Sequence, residues 1–233
     1  MITIPANLQA VNLRIAFACA AARRDPATVT LLAVSKTWPA SAVRAAAAAG
    51  QRAFGESYVQ EALAKQAELF DLALEWHFIG PLQSNKTRPV AESFSWVHSV
   101  ERLKIAERLS DQRPTHLPPL NICLQVNVSG EASKSGCVPE EAPALCRAIA
   151  ALPRLRLRGL MAIPEPGTDD MEKSALARRR FASLRALLAD MNATGLALDT
   201  LSMGMSHDLE NAIIEGATIV RIGTAIFGER QTE

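Results

Sequence analysis

Neither sign of charge is in excess in this chain: 25 basic residues stand against 24 acidic ones, a net charge of +1 over 233 residues. Nucleic-acid binders carry a basic face, so that class of partner is excluded as a first expectation. Cysteine is sparse and unpatterned. Cys19, Cys123, Cys137 and Cys146 show no C-x-x-C spacing and no disulfide density, and the four histidines are scattered, so neither a disulfide scaffold nor a zinc site is expected. Cys19 and Cys146 fall in helical patterns and Cys123 in a strand pattern, where reduced core residues are expected. No apolar run approaches the roughly 20 residues that cross a bilayer, and the N-terminus lacks the basic start and unbroken apolar core of a secretion signal. A cytoplasmic protein with no membrane partner is the expectation. Aromatic residues make up only 5% while alanine is plentiful, which suits many close-packed helices around a sheet.

What the chain does contain is a regular alternation of segments. After an amphipathic helix beginning near Pro5, strand patterns fall at Val29–Lys36, Ala53–Ser57, Glu75–Gly80, Ser95–Val100, Asn121–Val128, Arg156–Ile163, Thr200–Met205 and Thr218–Phe227. Helix patterns separate them at Pro39–Ala49, Tyr58–Phe70, Ser84–Ala91, Glu101–Ser110, Pro139–Leu152, Met171–Met191 and Asp208–Glu215. Eight β units without a composition shift or long linker predict an α/β fold, one (β/α)8 TIM barrel over residues 1–233 with an extra N-terminal helix. A doubly wound open sheet is the alternative. Eight parallel strands in one open sheet would be large for this length, and no G-x-G-x-x-G follows a strand.

Barrel enzymes and binders work at the C-terminal ends of their strands. In "LLAVSKTW", Leu31 to Trp38, side-chain alternation puts Leu32, Val34 and Lys36 on one face and Leu31, Ala33 and Ser35 on the other. That parity sets the Lys36 amine over the barrel mouth. A partly desolvated amine is competent to form a Schiff base with an aldehyde, whereas a solvated or paired lysine is the ordinary alternative. In "TIVRIGTAIFG", Arg221 interrupts an apolar strand and must meet an acceptor, for which an ion pair with Glu56 is one option. Gly223 and Thr224 follow with accessible backbone N–H groups and a hydroxyl. The preceding unit offers Ser202, Gly204 and Ser206, and loops after strands seven and eight commonly bind phosphate in such barrels. Ser206 or Asp208 also reads as a helix cap, with Glu210 as reciprocal partner in a capping box. An amine and a phosphate cradle on one face point to a phosphorylated aldehyde. Pyridoxal 5′-phosphate and the substrate of a phosphosugar aldolase both fit.

The stretches "LLAVSKTWPA", "GQRAFGESYVQEA", "EWHFIGPLQSNK", "RLRLRGLMAIP", "LSMGMSHDLENAI" and "GATIVRIGTAIFG" together resemble the pyridoxal phosphate homeostasis protein family, from about Leu31 to Gly228. The resemblance implies a barrel like the N-terminal domain of alanine racemase, with pyridoxal phosphate held as an internal aldimine on Lys36. Ser206, Gly223 and Thr224 would hold the phosphate, Ser202 is a weaker candidate for it, and Arg221 would face the pyridine nitrogen. Ser57 stands where many relatives carry asparagine, which puts its contact with the cofactor in question. Alanine racemase takes a second base, a tyrosine, from a separate domain. Here five residues follow Gly228, so no such domain is expected, and Tyr58 is the sole tyrosine. The expectation is a monomer that holds, buffers or delivers pyridoxal phosphate to apo forms of dependent enzymes without turnover of its own, with a small amino-acid racemase as the alternative. Loop lysines Lys86 and Lys134 bear on exchange or are simply solvated. Arg178–Arg180 reads as the solvated face of a helix.

Overall fold

The computed structural model describes residues 3–130, 135–163 and 170–229. Eight parallel strands close into a barrel in sequence order: β1 (Thr30–Val34), β2 (Ala53–Glu56), β3 (Glu75–Phe78), β4 (Trp96–Val100), β5 (Leu120–Gln125), β6 (Leu155–Met161), β7 (Thr200–Ser202) and β8 (Ile219–Ile222). β8 returns to β1, with Thr30 opposite Ile219 and Leu32 opposite Arg221. Every strand but β6 has six residues or fewer, and most strand residues are buried, as expected of a parallel sheet covered by helices.

Helices α1 (Ile4–Ala21), α2 (Ala40–Ala48), α3 (Val59–Glu68), α4 (Thr87–Ser93), α5 (Leu103–Gln112), α6 (Ala142–Ala150), α7 (Asp170–Ala193), α8 (Leu209–Ile214) and α9 (Thr224–Phe227) surround it. The extra N-terminal helix is α1, opened by Thr3, whose hydroxyl accepts from the Ala6 N–H. It packs on α8 and α9, and its Leu8, Val11, Ile15, Ala18 and Cys19 are buried. The alanines of α2 let it lie close to the sheet: Ala40, Ala42, Ala46 and Ala47 are all buried.

Two boundaries differ from the expectation with consequences. The eighth strand stops at Ile222, and the β-branched run to Phe227 turns at Gly223 into the single helical turn α9. The segment after Gln83 makes a 3-10 turn, Ser84–Lys86, before α4. Within the arginine triplet, exposed Arg178 also pairs with Glu215, whose side chain is nearly buried and is held as well by Arg185 further along α7. All four cysteines are buried and unpaired, as the patterns around Cys19, Cys123 and Cys146 implied.

Candidate functional site

The alternation read in β1 is the one observed. Leu32 joins the barrel interior with Ala53, Trp96, Cys123, Met161 and Ile219, while Leu31 and Ala33 face the helices. Lys36, two residues past the end of the strand on the inward parity, is half-buried and lines a cavity of about 210 Å³ at the mouth. Ser57, Ser206, Arg221, Gly223 and Thr224 line the same cavity, with Val34, Ile79, Ile163, Met205 and His207. The structure thus brings six of the seven sequence-derived candidates together. The exception is Ser202, which is fully buried one layer below, its hydroxyl engaged by Arg221 and His98.

The backbone on either side of Lys36 is tied down from behind. Lys65, on α3, donates to the Ser35 carbonyl (2.6 Å), to Glu56 Oε1 (2.7 Å) and to Glu61 Oε1 (2.6 Å). Glu61 Oε1 in turn accepts from the Thr37 N–H at 2.6 Å, and the Ser35 hydroxyl donates to Glu56 Oε1. Thr37 has φ 69°, a left-handed conformation that costs a threonine about 1–3 kcal/mol and persists only where neighbours impose it. Burial pushes the Glu56 carboxyl above its ordinary pKa, against the lowering influence of Lys65 and Ser35.

Glu56 is therefore not the partner of Arg221. The guanidinium instead meets neutral acceptors of the barrel wall: Nη1 donates to the Ser202 carbonyl (2.6 Å) and hydroxyl (2.8 Å), and Nη2 to the Ala162 carbonyl (2.9 Å). Burial lowers its pKa to about 10, partly offset by the Asp208 carboxylate, so it stays charged at neutral pH.

The cradle comes from two loops. Gly204 has φ 93°, and a Cβ there would stand 2.5 Å from the Ala212 side chain, so only glycine makes the turn that carries Ser206 to the mouth. The expected capping box does not form. Asp208 is the N-cap of α8 without a capping side-chain bond, its Oδ1 accepting from the Met205 N–H, and Glu210 is taken by Arg14 of α1. Ser206 is left facing α9, where its hydroxyl accepts from the Ala225 N–H at 3.4 Å. Gly223 caps α9 and Thr224 opens it, so N–H groups without intrahelical acceptors gather at this corner.

Among the described lining residues the basic side chains are Lys36, His207 and Arg221, and none is a carboxylate. A cavity below the about 300–1,000 Å³ of drug-sized sites takes one substituted ring, not a dinucleotide. An amine, a fixed guanidinium and a hydroxyl-and-amide corner fit the aldehyde, ring nitrogen and phosphate of pyridoxal phosphate. Tyr58 is mostly exposed and does not line the cavity; Lys86 closes the 3-10 turn, and Lys134 lies outside the described residues. Sequence reasoning overlooked His207 and Ile163 at the rim. Their signal was position alone, inside "GMSHD" and at the end of the sixth strand pattern.

A closed eight-stranded barrel with a lysine at the end of its first strand and an arginine inside its last defines the class of alanine-racemase-like barrels, and residues 7–231 match the family model described as the alanine racemase N-terminal domain. The chain is 69% identical over 230 residues to the pyridoxal phosphate homeostasis protein of Pseudomonas aeruginosa, covering 99% of this chain and 97% of that one. With that of Escherichia coli it shares 53% over 227 residues, 96% and 95% of the two chains. The chain belongs to the pyridoxal phosphate homeostasis protein family. Its fold matches the structure of PipY from Synechococcus elongatus with pyridoxal phosphate bound, with a TM-score of 0.80 and 43% identity over 92% of this chain and all of that one. Alanine racemase from Corynebacterium glutamicum shares the fold at 20% identity, with a TM-score of 0.68 over all of this chain and 64% of that one.

Proposed function

We propose that this protein binds pyridoxal 5′-phosphate at the barrel mouth and buffers or delivers it to apo forms of dependent enzymes, without substrate turnover of its own. The observation that carries this reading is the convergence of Lys36, Arg221, Ser206, Gly223 and Thr224 on one cavity at the barrel mouth. Relatives named for pyridoxal phosphate homeostasis, and PipY described with pyridoxal phosphate bound, support it.

The cofactor supplies an aldehyde carbon at which a primary amine forms a C=N bond, the carbonyl oxygen leaving as water. Lys36 provides the amine from a backbone fixed on both sides. Ser206 and Thr224 hold the phosphate with their hydroxyls, together with N–H groups of the α9 corner, and Ser57 adds a hydroxyl at the rim. Arg221 keeps its charge and donates towards the ring nitrogen, which disfavours a proton there and makes the ring a poor electron sink. That chemistry suits holding better than carbanion formation. The four reduced cysteines suit the cytoplasm, and among the described residues no helix is long and apolar enough to cross a membrane. We take the working unit to be a monomer.

A racemase reading has one observation in its favour: His207, an imidazole, stands at the rim of the mouth. One experiment separates the two. The purified protein loaded with pyridoxal phosphate is expected to show a visible absorption band, to keep the cofactor on Lys36 after borohydride reduction, and to reactivate an apo-enzyme. Enzyme-like exchange of an amino acid's α-hydrogen with deuterated solvent would overturn the carrier reading. Absence of the band in the wild-type protein would overturn cofactor binding itself.

A further inference from the structure

Two histidines that the site does not use lie inside the barrel, and they connect its two ends. His77 on β3 and His98 on β4 are 1% and 0% exposed. His77 Nε2 is 2.8 Å from Glu75 Oε1, and His77 Nδ1 is 2.9 Å from His98 Nε2. His98 Nδ1 is 2.8 Å from Ser202 Oγ, which is 2.8 Å from Arg221 Nη1. Glu75 opens β3 at the N-terminal face, where its half-exposed side chain lines a cleft of about 350 Å³. Arg221 lines the mouth at the opposite face.

We propose that Glu75, His77, His98 and Ser202 form a hydrogen-bonded chain of fixed direction through the barrel that positions Arg221, with both imidazoles neutral and protonated on Nε2. The direction follows from the ends. A guanidinium can only donate and an ionised carboxylate can only accept. The ionised Glu75 accepts from His77 Nε2, so His77 Nδ1 is left as an acceptor and takes the His98 Nε2 proton. His98 Nδ1 is then an acceptor in turn and receives the Ser202 hydroxyl proton, while Ser202 Oγ accepts from Arg221. Each neutral imidazole has one donor and one acceptor, and this assignment satisfies every link. The reverse tautomer on either ring sets two donors or two acceptors face to face, at a cost of about 1–3 kcal/mol for each buried group left unpaired.

The surroundings keep the rings neutral. At the lower end the facing charges are Glu75 and Arg158, which lies over the Trp96 ring that stacks on His77 and is paired with Asp199. At the upper end they are Arg221 and, beyond it, Asp208. The Cys123 thiol in the same interior is held un-ionised by burial, its pKa pushed up to about 12. Burial lowers the pKa of both histidines, that of His98 well below the usual value, with His77 and Arg221 adding to the effect on His98.

The chain's service to the site is to fix a rotor. With its proton committed to His98, the Ser202 hydroxyl presents a lone pair to Arg221. Together with the Ser202 and Ala162 carbonyls it uses three of the five guanidinium donors and leaves the others for the mouth. The assignment of direction and tautomer stands independently of what the mouth binds; its consequence at a ring nitrogen rests on the function proposed above.

The chain contains four histidines, so nitrogen NMR of the side chains is tractable before and after addition of pyridoxal phosphate. Both interior rings are expected as neutral Nε2–H tautomers throughout pH 6–8, without added cofactor. A proton on Nδ1 of either ring, or titration of either within that range, overturns the proposal. His98→Leu is expected to weaken pyridoxal phosphate binding at least ten-fold and to shift the visible band. His98→Gln, which can still accept from Ser202 and donate to His77, is expected to recover most of both. A folded His98→Leu protein with wild-type affinity and spectrum sinks the positioning role. Should that variant fail to fold, Glu75→Gln, altered at a half-exposed position, is expected to leave the tautomers mixed, and unchanged tautomers there refute the fixed direction. If the wild-type protein binds no pyridoxal phosphate, the function fails while the tautomer result still decides the chain.

Discussion

Replacing Lys65 by methionine tests whether the cluster behind Lys36 is as buried and as tightly paired as its distances imply. The Lys65 side chain is 5% exposed and that of Glu56 0%, and Glu56 Oε2 already has no hydrogen-bond partner. The substitution keeps the volume and removes the charge, leaving a buried carboxylate without its cation. Breaking a buried pair in this way costs about 3–5 kcal/mol. For a chain of this size each kcal/mol moves Tm by about 2–4 °C, so a fall of roughly 6–20 °C is expected. The pH dependence fixes the cause. Burial already raises the Glu56 carboxyl, and loss of Lys65 removes the first of the effects that oppose it. A group whose folded pKa is raised adds stability below its unfolded value of about 4.5 and loses it as pH climbs through the folded value. The deficit of Lys65→Met relative to wild type should therefore be greatest at pH 7 and shrink as pH falls towards 5. Adding Glu56→Gln should restore part of it at pH 7. Urea unfolding of the wild type and both variants at the two pH values is the assay. A loss under about 1 kcal/mol, or one equal at both pH values, would refute the argument.

Gly204→Ala should lower stability by about 1–3 kcal/mol, since alanine would take φ 93° with its Cβ 2.5 Å from Ala212, and it should weaken phosphate binding more than the Lys36 attachment; thermal melts and competition by inorganic phosphate measure the two effects. Arg221→Lys keeps a charge but cannot serve the Ser202 and Ala162 carbonyls together, so a loss of about 1–3 kcal/mol in stability and at least ten-fold weaker cofactor binding are expected from melting and absorbance titration. Cys123, Cys137 and Cys146 have pKa values near 12, which leaves roughly one thiolate in ten thousand at pH 8, so a thiol reagent should label them only after unfolding.

The barrel was legible because its strands are short apolar runs separated by well-marked helices, and Lys36 because a period of two carries parity to the end of a strand. Arg221 was legible as a buried cation but not in its partners. Three hydrogen bonds to two backbone carbonyls and a serine hydroxyl depend on how β6, β7 and β8 sit side by side, and a carboxylate was the only acceptor that residue types could suggest. The two interior histidines looked scattered because they lie 21 positions apart; they meet only through the pairing of β3 with β4, where His77 stands opposite Trp96. The end of β8 was hidden because Thr224, Ile226 and Phe227 are good strand formers, whereas the chain turns at Gly223 into α9, which packs against α1.

The helix that precedes the barrel has a consequence for the order in which the molecule is made. Asn7 donates to the Ile226 carbonyl, 219 residues away, and Arg14 holds both Glu210 and the Ser206 carbonyl, 196 and 192 residues away. α1 therefore leaves the ribosome before every strand of the barrel, and nearly the whole barrel has to follow before its partners exist. A nascent chain that has reached β2 already carries α1 and Lys36, but neither the Ser206 loop nor the Gly223 corner that α1 braces. The loops opposite Lys36 are thus the last part of the mouth to be assembled, and Lys36 is set in the complete cavity only once β8 has closed the barrel on β1.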